Sequence, residues 1–69
     1  MLEKRLIAAR EKAGKSQEQV AEAVGVTQAA YSYYEHGYKV PSLPVAKRIA
    51  ATLGVSLDYL VGNDGNDEN

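Results

Sequence analysis

Apolar residues recur at helical spacing along this chain, and nearly every recurrence ends at a glycine. Leu2, Leu6, Ala9 and Ala13 share one face of a first helix over residues 2–13, with Arg5, Glu11 and Lys12 elsewhere and Gly14 as C-cap. Ser16-Gln17-Glu18-Gln19 has the spacing of a capping box, in which the first and last side chains satisfy each other's backbone N–H groups. It opens a second helix whose apolar side is Val20, Ala21 and Val24, and Gly25 ends it. Thr27 caps a third helix that runs to about His36 and closes at Gly37. Pro41 disfavours helical angles at Val40, so residues 38–41 form a connector. Ser42 caps a fourth helix that tolerates Pro44 in its first turn, carries the stripe Val45, Ala46, Ile49, Ala50 and Leu53, and stops at Gly54. Ser56 caps a short fifth helix, Leu57 to Val61. No stretch alternates as a strand does, so the pattern predicts a compact all-α domain of five helices over residues 1–62. Residues 63–69 hold no apolar side chain and predict a disordered acidic tail.

The second and third helices carry the most information. Ala21 is small enough to let another helix cross close by, Gly25 permits a sharp turn, and Val26 fills the angle between them. Two helices joined steeply by a short glycine-containing turn make a helix-turn-helix unit. At about 100° per residue, Tyr31 and Tyr34 face inward with Glu35 at the boundary. Tyr33 faces outward with Ala29, Ser32 and His36, and Gln28 projects from the helix start. The inward tyrosine hydroxyls then need partners or a route to water.

Composition narrows the function. Sixty-nine residues make one domain near the lower size limit for independent folding, and with no cysteine neither disulfides nor thiolate metal sites are available. No apolar run approaches the ~20 residues of a membrane span, and the start of the chain lacks a signal-peptide pattern. These features predict a cytoplasmic protein without membrane association. The net charge of −1 is mildly unfavourable for a polyanion partner. It conceals an uneven distribution: residues 1–57 hold all eight Lys and Arg against five acids, a net of +3. One histidine and no cysteine cannot assemble a nucleophile–base pair or a metal cluster, and no phosphate loop is present. An enzyme, a metal and a cofactor are therefore not expected, and no small-molecule effector is evident.

The stretches REKAGKSQEQVAEAVGVTQAAYSYYEHG and PSLPVAKRIAATLGVSLDYLVG resemble the Cro/CI-type (XRE-type) helix-turn-helix domains of lambdoid phage repressors and bacterial regulators. The resemblance covers roughly residues 3–62, with Ser16-Gln17, Ala21, Gly25, Glu35, Gly37, Pro41 and LGVSLDYL in register. It implies a five-helix, lambda-repressor-like DNA-binding domain, usually dimeric, whose third helix enters the major groove. Tyr31 and Tyr34 depart from the usual Ile or Leu, and Lys15 from the usual Leu, so only the Lys15 stem can cover the core there.

Candidate base-contacting residues are Gln28, Ala29, Ser32 and Tyr33. Gln pairs bidentately with adenine, Ala suits a thymine methyl, and Ser suits a base edge or a phosphate. Folding does not require an exposed tyrosine at 33. A phosphate hydrogen bond or packing on a thymine methyl or sugar accounts for it, with a protein partner as the rival. In the resembled family a glutamine matching Gln17 contacts a phosphate, where the helix N-terminus adds backbone amides. Lys15, His36, Tyr38, Lys39 and Ser42 are further phosphate candidates. The family's matching pair also makes Arg10 and Glu35 a partly buried, structural ion pair. In the fifth helix, Leu57, Leu60 and Val61 cannot easily all face inward, and Tyr59 adds an aromatic, so these four form the expected dimer joint. The expected function is a transcriptional regulator, a repressor that binds a palindromic operator on double-stranded DNA as a homodimer. The alternative is a protein-interaction module, such as an antitoxin or prophage accessory protein, docking through the Tyr33 face.

Overall fold

A computed structural model describes residues 2–62, and the expected acidic tail at 63–69 lies outside the described residues. Five helices follow in order: α1 Leu2–Lys12, α2 Gln17–Val24, α3 Gln28–His36, α4 Leu43–Leu53 and α5 Leu57–Val61. No strand occurs among the described residues. The hydroxyls of Ser16, Thr27, Ser42 and Ser56 each accept a backbone N–H three residues on, which satisfies groups that a helix start would otherwise leave unpaired. The capping box is complete: Gln19 N donates to Ser16 Oγ at 3.0 Å, and Ser16 N donates to Gln19 Oε1 at 2.8 Å.

The α2–α3 turn shows why a glycine is needed at 25. Its φ of +89° lies in the left-handed region, where a side chain would be strained. Gly25 N and Val26 N both donate to the Ala21 carbonyl, at 2.9 and 3.1 Å, and reverse the chain at the end of α2. Val26 then packs half-buried against the core.

The helix contacts run α1 on α3 and α5, α2 on α3 and α4, and α4 on α5. Leu6, Val20, Tyr31, Ile49 and Leu60 are wholly buried at their meeting point. Fully burying aliphatic side chains of this size stabilises by about 1.5–3 kcal/mol each before conformational entropy is charged against it. Tyr31 therefore belongs to the core, as the helical wheel requires, with Tyr34 half-buried edge-on to it at 6.3 Å.

Three readings need correction. Ala13 is exposed, because α1 stops at Lys12 and Gly14 then turns the chain. Lys15 is exposed and its stem does not join the core cluster. Leu60 is wholly buried between α1 and α4, so it cannot reach a partner as part of a dimer joint.

Candidate nucleic-acid interface

The N-terminal half of α3 presents its outward side to solvent. Gln28 and Ala29 are exposed, Ser32 is half-buried, and Tyr33 is 43% exposed. The Thr27 cap fixes the start of this helix through Thr27 Oγ1, which accepts Ala30 N at 3.0 Å. The glutamine side chain is left unengaged by that cap and projects from the first turn.

An aromatic cluster flanks the other end of α3. The Tyr33 and Tyr38 rings lie 6.0 Å apart at 58°, and Tyr38 stacks on His36 at 5.6 Å and 21°. Lys39 Nζ sits 5.8 Å from the Tyr33 ring centre, a cation–π distance. Gly37, at φ +77°, turns the chain so that residue 38 folds back beside the helix. Its N–H and those of Tyr38 and Lys39 close on the last α3 carbonyls. His36 Nδ1 lies 2.8 Å from the Ser32 carbonyl oxygen. A carbonyl only accepts, so Nδ1 donates in this contact and Nε2 is left for another partner.

The inner side of α3 is tied to the start of α2 by a charged network. Arg10 Nε donates to Glu35 Oε2 at 2.6 Å, and Arg10 Nη2 donates to Glu35 Oε1 at 3.2 Å, a bidentate pair whose side chains are 17% and 3% exposed. Gln17 Nε2 donates to the same Oε1 at 2.9 Å, and Arg10 Nη1 donates to the Lys15 carbonyl at 3.0 Å. Burial by itself pushes the Glu35 carboxyl up, but the hydrogen bonds from Arg10 and then Gln17 outweigh it and hold the group below the usual carboxylate range. The hydrogen bond to Glu35 raises Arg10 in turn. Burial, and after it the neighbouring Glu35, pushes the Tyr31 hydroxyl well above the ordinary tyrosine value. That hydroxyl is buried beside Glu35 yet meets no group with the geometry of a hydrogen bond.

The structure thus brings Arg10, Gln17 and Glu35 together, and Tyr33, His36, Tyr38 and Lys39 together. Lys15 is exposed just ahead of α2 and Ser42 caps α4, its Oγ accepting Val45 N at 3.4 Å; no contact joins Ser42 to either cluster among those described. The Gln17–Glu35 bond was not readable from sequence, since residues 18 apart meet there only through the helix crossing. Tyr38–His36 stacking carried a weak signal, two rings flanking a glycine.

A second surface lies across α4 and α5. Leu2, Val40, Pro41, Leu43, Ala46, Leu57, Asp58 and Val61 line an open groove of about 390 Å³. Val40 is 81% exposed, Leu43 62% and Val61 46%. Tyr59 turns away from it. Its ring lies half-buried under the Arg5 guanidinium at 4.7 Å, and Arg5 Nη1 donates to the Tyr59 carbonyl at 2.8 Å. Sequence reasoning missed Val40 and Leu43, although Leu43 stands outside the α4 stripe and so had no place in the core.

No group of three potential metal-ligating side chains occurs among the described residues, and no described helix is long and apolar enough to cross a membrane. The helix-turn-helix family model matches residues 6–60. The chain is 34% identical over 68 residues to the cryptic phage CTXphi transcriptional repressor RstR of Vibrio cholerae, covering 99% of this chain and 61% of that protein. It is 38% identical over 63 residues to the HTH-type transcriptional regulator ImmR of Bacillus subtilis, covering 91% and 50%. It is 36% identical over 61 residues to the SPbeta prophage-derived uncharacterized HTH-type transcriptional regulator YonR of the same organism, covering 88% and 56%. The chain therefore spans between half and three fifths of the length of these curated relatives. No solved structure matches it.

Proposed function

Because the chain belongs to the helix-turn-helix family, we propose that it is a sequence-specific DNA-binding transcriptional regulator, a repressor acting in the cytoplasm. The observation that carries this reading is the outward side of α3, where Gln28, Ala29, Ser32 and Tyr33 face solvent on a helix whose opposite side is locked into the core. A helix of this width fits the major groove and reads it with its N-terminal residues. Gln28 pairs with an adenine edge, Ala29 meets a thymine methyl, and Ser32 and Tyr33 complete the base contacts. Gln17, Lys15, His36, Tyr38, Lys39 and Ser42 take phosphates on either side.

The protein binds as a homodimer. A single short reading helix on a weakly basic body does not reach the ~10⁻⁸–10⁻¹¹ M typical of specific regulators. Two linked copies do, because the second head binds at high effective concentration. With Leu60 buried and Tyr59 covered by Arg5, Leu57 and Val61 remain for the joint. The adjoining Val40 and Leu43 extend it into one apolar surface. The operator is then a palindrome with half-sites about 34–36 Å apart.

Selection of bound sites from random duplex DNA tests the reading. A palindromic site should be enriched, and binding should weaken steeply as salt rises, through release of counterions from phosphates. Inserting five base pairs between the half-sites should reduce affinity to near that of one half-site. Failure to enrich any site would refute sequence-specific binding. In that case the exposed Tyr33–Tyr38 pair favours the second reading, a protein-docking face whose binding is insensitive to salt.

A further inference from the structure

Glu35 has more donors within reach than it uses. Its Oε1 accepts from both Arg10 Nη2 and Gln17 Nε2, while Oε2 accepts only from Arg10 Nε. The Tyr31 hydroxyl, one helical turn back on the same face of α3, is buried close enough to Glu35 for the two to interact, yet it meets no group with the geometry of a hydrogen bond. A buried unpaired hydroxyl is costly, and a phenylalanine would fill the same space without that cost. The hydroxyl therefore calls for a state of the protein in which it is used.

DNA binding supplies such a state, on the reading above that Gln17 takes a phosphate. The Gln17 amide is held on Glu35 in the free protein. Its NH₂ has two hydrogens, but donating both at once would place a carboxylate and a phosphate only about 5 Å apart. Like charges at that distance repel, and little water separates them beside a group as buried as Glu35. Release of Gln17 avoids the repulsion but strips a donor from the buried carboxylate. We propose that Tyr31 is a positioning residue for the phosphate contact: its hydroxyl replaces the Gln17 amide on Glu35 and frees that amide for DNA. The exchange keeps the number of donors on Glu35 constant between the free and bound states. Tyr31 itself touches no DNA.

The test is a double-mutant cycle of Tyr31→Phe and Gln17→Ala, with a random-sequence DNA duplex at low salt as the probe and thermal melting as the control. Tyr31→Phe should melt at or above the parent's temperature, since it removes only an unpartnered hydroxyl. It should nevertheless weaken DNA binding about three- to tenfold, the value of one neutral hydrogen bond. In the Gln17→Ala background the same substitution should change binding by less than about twofold, well within one such bond. Unchanged binding by Tyr31→Phe in the parent background overturns the proposal, because Gln17 then serves both acceptors with its two hydrogens. Equal losses in both backgrounds, or a lowered melting temperature, overturn it as well by giving the hydroxyl an ordinary structural role. If Gln17→Ala binds the duplex like the parent, the phosphate reading of Gln17 fails, and the exchange falls with it. If the parent binds no duplex at all, the proposed function itself is refuted.

Discussion

Replacing Arg10 by methionine isolates the energetic weight of the network beneath α3. The methionine retains most of the aliphatic stem, so packing changes little. Glu35, 3% exposed in the parent, keeps Gln17 as a hydrogen-bonding partner, with the Tyr31 hydroxyl beside it as the other nearby donor. The carboxylate can escape this environment by taking a proton, which at pH 7 costs about 3–4 kcal/mol for a group of ordinary pKa near 4.3. The electrostatic part of the loss cannot exceed that value. Loss of the Arg10 bond to the Lys15 carbonyl adds about 1 kcal/mol. The sum falls within the ~3–5 kcal/mol typical of breaking a buried pair, and in a domain this small it lowers the melting temperature by about 16–40 °C. The pH dependence has a definite sign. In the parent, Glu35 is held below the usual carboxylate range. Its contribution is therefore complete above the unfolded-state value and is lost as pH falls through the folded one. In the variant, burial without Arg10 raises Glu35 instead, so protonation relieves it. Melting curves followed by circular dichroism should thus show a wide gap between parent and variant at pH 7 that narrows toward pH 4. A variant that melts with the parent at pH 7, or a gap that does not depend on pH, refutes this account.

Gln28→Ala and Tyr33→Ala should each leave the melting curve in place and weaken binding to a selected operator by about 1–3 kcal/mol if the contact is to a base. Titration of labelled duplex decides it, and affinity equal to the parent's means the contact is misassigned. Ile49→Ala, at a wholly buried position between α2 and α5, should destabilise by about 2–5 kcal/mol in urea unfolding with little change in slope. Leu43→Lys combined with Val61→Lys should give a folded monomer in sedimentation and a bound complex no tighter than a half-site permits. A dimer that survives both lysines places the joint elsewhere.

The helix boundaries were legible because local chemistry sets them. Ser16, Thr27, Ser42 and Ser56 each supply the capping oxygen, and Gly25, Gly37, Gly54 and Gly62 each take the left-handed conformation that ends a helix. The inward and outward sides of α3 followed from helical periodicity alone. The errors fall where periodicity runs out. Ala13 lies just past the end of α1, and a five-residue helix such as α5 is too short for the pattern to distinguish Leu60 from Val61. What stayed hidden depends on which helices cross. Gln17 on Glu35, Arg5 over Tyr59, and the groove joining Val40 to Val61 each bring together residues far apart in sequence. Of the candidate site, the faces could be read but the supports beneath them could not.

Arg48, in α4, donates through Nε to the Val24 carbonyl at 2.9 Å and so grips the C-terminal end of α2. Arg10, in α1, grips the other end through the Lys15 carbonyl and Glu35. Helix α2 is therefore clamped at both ends, in part by residues that lie outside the two-helix unit. That unit is portable as a sequence but not as a shape. A graft of residues 16–37 onto another scaffold loses both clamps unless the host supplies guanidinium groups in the same places. Exchange of the outward side chains of α3 alone disturbs neither clamp. Recombination between relatives can therefore trade specificity residue by residue more safely than by whole segments.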